Sequence, residues 1–252
     1  MKFSKWQACG NDFIIVEDGA LNDLKARASF LCNRHFGIGA DGILLLTPSE
    51  IADTKMTVVN ADGSIAQMCG NGVRCVGRFI SEKLNKSKVK VDTDGGLKDI
   101  DIDGGIAAVA MGTVSVEWTK RIDICGEKVR IWSANVGNPH CIVEMSEQVT
   151  DEFLCKVGAQ IENMTDLFPE KTNVEFVTVE DNDTIRVRVW ERGAGQTMAC
   201  GTGACASATV MNKQYKVGSK VKVIMDGGTL TIDVGRTVIM SGTAKYVYAG
   251  EM

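Results

Sequence analysis

The chain has 252 residues, enough to bury a core as one large domain or two small ones, and its 24% charged and 44% hydrophobic residues are ordinary for a globular protein. A net charge of -4 gives no reason to expect a nucleic-acid partner. No apolar run approaches the roughly 20 residues that span a bilayer, and MKFSKWQACGNDF has no apolar core of a signal peptide, so neither membrane insertion nor export is expected.

In chain order the elements come twice. A short strand enters a turn at Gly10-Asn11 and leaves as the apolar strand 13–16. Leu21, Leu24, Ala28 and Leu31 then fall at helical spacing, and strands follow at 43–46 and 56–59. Helical periodicity resumes after Cys69, with Val73, Val76, Gly77 and Ile80 on one face. Alternating strands around Asp94-Gly95-Gly96 close the copy. The second copy passes through Gly137-Asn138, strand 141–143 and a helix with Phe153, Leu154, Val157 and Ile161 in line. Strands at 174–179 and 184–190 follow. A helix after Cys200 then places Ala204, Cys205, Ala208 and Met211 on one face, and Asp226-Gly227-Gly228 comes last. GNDFIIVE recurs as GNPHCIVE 127 residues on, Cys69-Gly70-Asn71-Gly72 as Cys200-Gly201-Thr202-Gly203 131 on, and Asp94-Gly95-Gly96 132 on. Three ordered matches imply duplication of a unit of roughly 120–130 residues. Each copy reads as a sheet wrapped around one central helix. No Pro- or Ser-rich linker parts them, so a small-molecule cleft is expected between them.

Nine cysteines are many for this length: Cys9, Cys32, Cys69, Cys75, Cys125, Cys141, Cys155, Cys200 and Cys205. The count is odd and no C-x-x-C occurs, so a reducing, cytoplasmic setting is expected rather than a disulfide framework. Only His35 and His140 are available and no paired Cys/His spacing appears, so no metal is expected. Cys32, Cys125 and Cys155 read as small buried hydrophobes, and Cys75 and Cys205 as helix core.

Cys69 and Cys200 differ from these. Each stands where a strand-like stretch stops, two glycines permit close backbone approach and a helix begins. The first N–H groups of a helix have no internal acceptor and the dipole is positive there, which favours an anion and gives a neighbouring cysteine thiolate character. One such motif alone reads as a tight strand-to-helix turn. Two of them match amino-acid inversion, in which a base takes the α-proton from one face and an acid returns a proton to the other. N–H groups then hold the carboxylate as charge develops. Two helix starts stabilise that charge without an electron sink, so no cofactor is expected.

With these residues in hand, the chain resembles the diaminopimelate epimerase family along essentially its whole length. GNDFIIVED, NRHFGIGADG (33–42), NADGSIAQMCGNGVRC (60–75), GNPHCIV (137–143) and ERGAGQTMACGTGACAS (191–207) carry the resemblance. It implies an α/β (α+β) fold of two pseudo-symmetric domains, each a barrel-like, mostly antiparallel sheet around a central helix. Their bounds would be 1–112 with 243–252, and 113–242, the last strand near 246–249 returning to the first domain. It implies Cys69 and Cys200 as the acid/base pair, with Gly70-Asn71 and Gly201-Thr202 holding the reacting carboxylate. Asn11, Asn60, Asn138, Asn173, Glu191 and Arg192 match substrate-binding positions, and His140 and Glu191 match groups that tune the cysteines and hold the amino group. Taken singly, the three asparagines in Gly-Asn or Asn-Ala-Asp-Gly contexts read as turn formers, His140 as a strand histidine, and Glu191-Arg192 as a solvated turn pair. The chain departs from common family residues at Gly42, where some members have glutamine, at Met68 and at Cys9.

The implied activity is interconversion of LL- and meso-diaminopimelate for lysine and peptidoglycan synthesis, by a homodimer with Tyr248 near the interface. Tyr248 alone reads as a half-buried strand residue. Two rivals stay open in the sequence: a racemase of the same fold acting on histidine or proline, and a non-enzymatic thiol sensor or metal-binding protein. Asn60, Asn173 and Arg192, read as a clamp for a second amino-acid head group, favour diaminopimelate.

Overall fold

The computed structural model of the chain describes residues 1–17, 19–124 and 126–252, Glu127 by its backbone alone. Cys125 lies outside the described residues. The chain divides into two compact units, Met1–Ala110 with Ser241–Met252, and Met111–Met240.

The first unit opens on β1 (Lys2–Ala8) and β2 (Asn11–Val16), an antiparallel hairpin with Ala8 opposite Asn11. Cys9 and Gly10 join them with φ of 53° and 77°, the positive pair that a two-residue type I′ turn requires. After α1 (Leu21–Leu31), β3 (Gly42–Thr47) lies parallel to β2, the helix supplying the crossover that parallel strands need. β4 (Thr54–Asn60) is antiparallel to β3 and carries the short β5 (Ile65–Ala66). Then come α2 (Gly70–Leu84), β6 (Lys88–Thr93) parallel to β4, β7 (Lys98–Asp103) and β8 (Ile106–Gly112).

The second unit repeats this plan. β9 (Ser115–Ile124) pairs with β10 (Glu127–Asn135), and β10 with β11 (Pro139–Glu144), both antiparallel. α3 (Asp151–Glu162) crosses to β12 (Asn173–Val179), parallel to β11. Antiparallel β13 (Thr184–Glu191) follows with its short β14 (Gly195–Thr197). Next are α4 (Gly201–Lys213), β15 (Lys220–Met225) parallel to β13, β16 (Gly228–Asp233) and β17 (Val238–Thr243). Finally β18 (Lys245–Glu251) pairs antiparallel with β1, doing for the first unit what β9 does for the second. The register repeats too: Phe13 pairs with Gly42 as His140 does with Asn173, and Ile43 with Val59 as Val174 does with Trp190. The mixed α/β fold and the duplication read from the sequence are therefore those of the molecule.

Each unit's core is organised by its second helix. α2 packs on β1, β2, β4, β6 and β7, burying Gly70 through Gly77 and Ile80 and leaving Glu82 and Lys83 in solvent. α4 was expected to bury one face. Instead every residue from Gly201 to Met211 is buried, with strands β9 to β13, β15 and β16 packed against it. Its Gly, Ala, Ser, Thr and Cys side chains are short enough for backbone to approach from all sides, and a helix apolar all round belongs inside. Leu21 and Cys155 also correct the sequence reading. Leu21 is 37% exposed at the first position of α1, and Cys155 is exposed on α3 beside the stripe Leu154, Val157, Ile161. Cys32, Cys75 and Cys205 are buried, and the eight described cysteines are free thiols.

Candidate active site

The two Cys-Gly motifs build the same local structure. Cys69 caps α2 and Cys200 caps α4, both in extended backbone, and each Sγ accepts the N–H of the third residue on, Gly72 or Gly203, at 3.4 Å. The sulfur does what a Ser or Asp oxygen does at an ordinary N-cap. Helix geometry leaves the earliest N–H groups, those of Gly70-Asn71 and Gly201-Thr202, without an intrahelical carbonyl, and the dipole adds positive potential there.

Around Cys200 the second unit gathers a polar group. His140, on β11, is fully buried, with Nδ1 2.7 Å from Glu175 Oε1 and Nε2 3.1 Å from Asn138 Oδ1. The Asn138 amide donates to Thr202 Oγ1 at 3.4 Å, and that hydroxyl is 3.4 Å from Cys200 Sγ. Glu191, at the end of β13, accepts from the Thr197 hydroxyl at 2.5 Å. Burial raises the Glu191 carboxyl above its ordinary value. Burial, then the carboxylates of Glu191 and Glu175, push the Cys200 thiol well up, against the hydrogen bonds from Thr202 and Gly203.

Around Cys69 the first unit places a cation instead. The Arg74 guanidinium is fully buried in the first turns of α2, donating to Asn71 Oδ1 at 2.8 Å, Gly70 O at 3.3 Å and Cys9 Sγ at 3.4 Å. Burial raises the Cys9 thiol, with Arg74 opposing. Asn11 leads β2, and its Oδ1 is a buried acceptor with no hydrogen-bond partner. Its neighbour Asp12 is held by Lys5 at 2.6 Å and by both Arg34 nitrogens at 2.7 and 2.9 Å, and Arg34 also reaches Asp41. In the second unit the residue in that place is Pro139, which fixes the chain by its ring.

Two of the sequence-picked residues carry structural bonds as well. Asn60 Nδ2 donates to Ser64 Oγ at 2.9 Å, as a turn former would. Asn173 is buried, accepting the Arg192 N–H at 2.9 Å and donating to Pro139 O at 3.1 Å, and so ties β11 to the turn after β13. The Arg192 side chain is exposed and donates to Glu170 O. Asn11, Asn60, Cys69, Gly70 and Asn71 belong to the first unit; Asn138, His140, Asn173, Glu191, Arg192, Cys200, Gly201 and Thr202 belong to the second. Sequence reading missed Glu175 and Arg74. The repeat offers the missing signal for Glu175: 131 residues earlier stands Leu44. Among the described residues no three or more His, Cys, Asp or Glu are grouped to hold a metal ion, and no helix is long and apolar enough to cross a membrane.

Known proteins place the chain. The diaminopimelate epimerase family model matches residues 3–117 and 132–247, one stretch for each copy. A protein named diaminopimelate epimerase from Bacteroides thetaiotaomicron is 41% identical, covering 100% of this chain and 98% of its own. One of that name from Caldanaerobacter subterraneus is 39% identical over 100% and 99%. Among solved structures, a hydroxyproline epimerase from Agrobacterium vitis has a TM-score of 0.76 at 15% identity, covering 100% of this chain and 90% of its own. A probable proline racemase from Agrobacterium radiobacter has 0.75 at 15%, covering 100% and 92%. At that identity the structures speak to fold, while the full-length relatives speak to descent. The chain belongs to the diaminopimelate epimerase family and is an isomerase.

Proposed function

We propose that the chain interconverts LL- and meso-diaminopimelate, with Cys69 and Cys200 exchanging one α-proton from opposite faces of the reacting carbon. The observation that carries this is the repeated cap: in each unit a cysteine sulfur sits at a helix start, 3.4 Å from the N–H of a glycine three residues on. One thiolate removes the α-proton while the other thiol delivers a proton, and the roles reverse with direction. The N–H groups of Gly70-Asn71 and Gly201-Thr202 hold the carboxylate as negative charge moves onto it. Glu191, whose carboxylate raises the Cys200 thiol, tunes that group, and the unfilled Asn11 Oδ1 suits an ammonium donor. Asn60, Asn173 and Arg192 serve the distal head group, which alanine lacks and of which lysine lacks the carboxylate, so both are poor substrates. The names of the full-length relatives support the substrate. The reaction needs neither metal nor pyridoxal phosphate, and the setting is the cytoplasm, where thiols stay reduced.

We further propose a homodimer with Tyr248 at the interface. The ring is 42% exposed, edge-on to Phe3 at 6.0 Å, with its hydroxyl 3.3 Å from Ile38 O. The test of the main reading is a panel of amino acids given to the reduced protein in heavy water. Product from LL-diaminopimelate should carry deuterium at the inverted carbon while early recovered substrate carries little, and chelator should change nothing. Efficient inversion of histidine or proline with diaminopimelate untouched defeats the substrate; equal labelling of substrate and product defeats the two-base scheme.

A further inference from the structure

A buried carboxylate in the second unit has no place in that scheme. Glu175 is fully buried on β12, its Oε1 bonded to His140 and its Oε2 without a partner. The fold does not require it. The equivalent strand positions in the first unit are Leu44 for Glu175 and Phe13 for His140, both buried and apolar. A buried ion pair is commonly no more stabilising than apolar residues of its size, so replacing one by Phe and Leu costs a fold little. The helix above makes room for the acid. A Cβ added at Gly203 would lie 2.3 Å from Glu175 Oε1, whereas at the equivalent Gly72 it meets the end of Leu44 at 3.0 Å.

The hydrogen bonds fix a direction. Asn138 spends an N–H on Thr202 Oγ1, so its Oδ1 faces the His140 ring and can only accept. Nε2 therefore carries a hydrogen, and the 2.7 Å between Nδ1 and Glu175 holds one more. Thr202 Oγ1 accepts from Asn138 and keeps its single hydrogen for a Cys200 thiolate 3.4 Å away, beside the Gly203 N–H. A thiolate at Cys200 thus meets two donors on the helix side.

We propose that Glu175 is a positioning residue for Cys200: it fixes the His140 ring so that an unbroken series of donors runs through Asn138 and Thr202 to the sulfur. The inference rests on the reading of Cys200 as an acid/base. Its consequence is that the series favours the thiolate. The charged or titratable groups facing the sulfur are Glu191 from β13, Glu175 from β12 and, behind Asn138, His140 from β11.

The test is the pH dependence of iodoacetamide alkylation at Cys200, read by mass spectrometry of its peptide, in the full chain and in Glu175→Gln. The amide keeps the shape of the acid but can meet Nδ1 by its oxygen or by its nitrogen, so it no longer fixes the ring in one state, nor the donor series with it. The midpoint should move up by about one pH unit, with kcat down roughly tenfold and KM little changed. A buried charge acting alone on the sulfur gives the opposite sign, so a downward shift, or none, overturns the proposal. Should Glu175→Gln fail to fold, Thr202→Val removes the last donor and must shift the midpoint upward in the same assay; no shift there overturns it too. Nitrogen NMR of the wild type must find Nε2 of His140 protonated. If Cys200→Ala still inverts substrate, the acid/base reading falls. If that variant is dead while Glu175→Gln alkylates as wild type, only this inference falls.

Discussion

Beneath the cap of α2 the buried charged group is a cation, Arg74; beneath the cap of α4 it is an anion, Glu175, paired with a histidine. The two starts share their glycines, their extended cap residue and a sulfur at 3.4 Å from the third N–H. Duplication has kept the backbone device and let the side chains behind it part ways. On the proposed two-thiol reading the difference matters chemically, since unlike environments push two like groups towards acid and base roles. Asn71 is bound to its own unit's Arg74, whereas the equivalent Thr202 is the last link of a chain reaching the sulfur.

The largest expected effect tests whether both starts count. Cys69→Ala and Cys200→Ala should each lower inversion roughly 10²–10⁴-fold, measured by chiral separation of the diaminopimelate isomers. A large loss from one and a small loss from the other would make the pair a one-base site, with the opposite charges a matter of packing. A smaller effect should separate the two glycines. Gly203→Ala drives a methyl against Glu175 Oε1 and should cost about 1–3 kcal/mol in urea unfolding. Gly72→Ala meets only a leucine methyl and gains helix propensity of about 1 kcal/mol, so it should be near neutral. Equal costs at both would mean that Glu175 gives way freely. The smallest concerns acid. Burial opposes ionisation of Asp12, but the hydrogen bonds from Arg34 and Lys5 outweigh it and hold the carboxyl well below its ordinary 3.8. A depressed carboxyl stabilises the folded state above its unfolded value, and that stability is lost as pH falls through the folded value. Asp12→Asn should therefore flatten the acid limb and move the acid midpoint up by roughly half a pH unit, whereas Pro139 gives the second unit no such dependence.

Much of this was legible beforehand, because repetition made it so. A single C-G-x-G says little; two at constant offset located both helix starts, and the order of strands followed from the same alignment of the chain with itself. Glu175 was hidden by its setting. It sits in N-V-E-F-V-T-V, a strand buried on both faces, where alternation gives no sign of which residue is special. Its partner lies 35 residues away on a parallel neighbour, a contact made only by the register of β11 and β12. Arg74 was hidden similarly, since a long cation early in a helix ordinarily reads as solvated. Cys155 was misjudged because a helix stripe has edges, and one residue decides between core and water.

The pairing of β18 with β1 sets an order in time. The second unit is a continuous stretch, Met111–Met240, and its last strand, β17, ends at Thr243, before β18 begins. The first unit is not continuous, although it is made first. Its opening strand has β2 on one side, and on the other side an edge that β18 covers: Lys2 meets Glu251, and the Met252 N–H reaches Met1 O at 3.0 Å. During translation β1 therefore waits as an unpaired strand edge, the feature most prone to wrong partners. The unit whose strands are made first is the unit whose sheet is completed last.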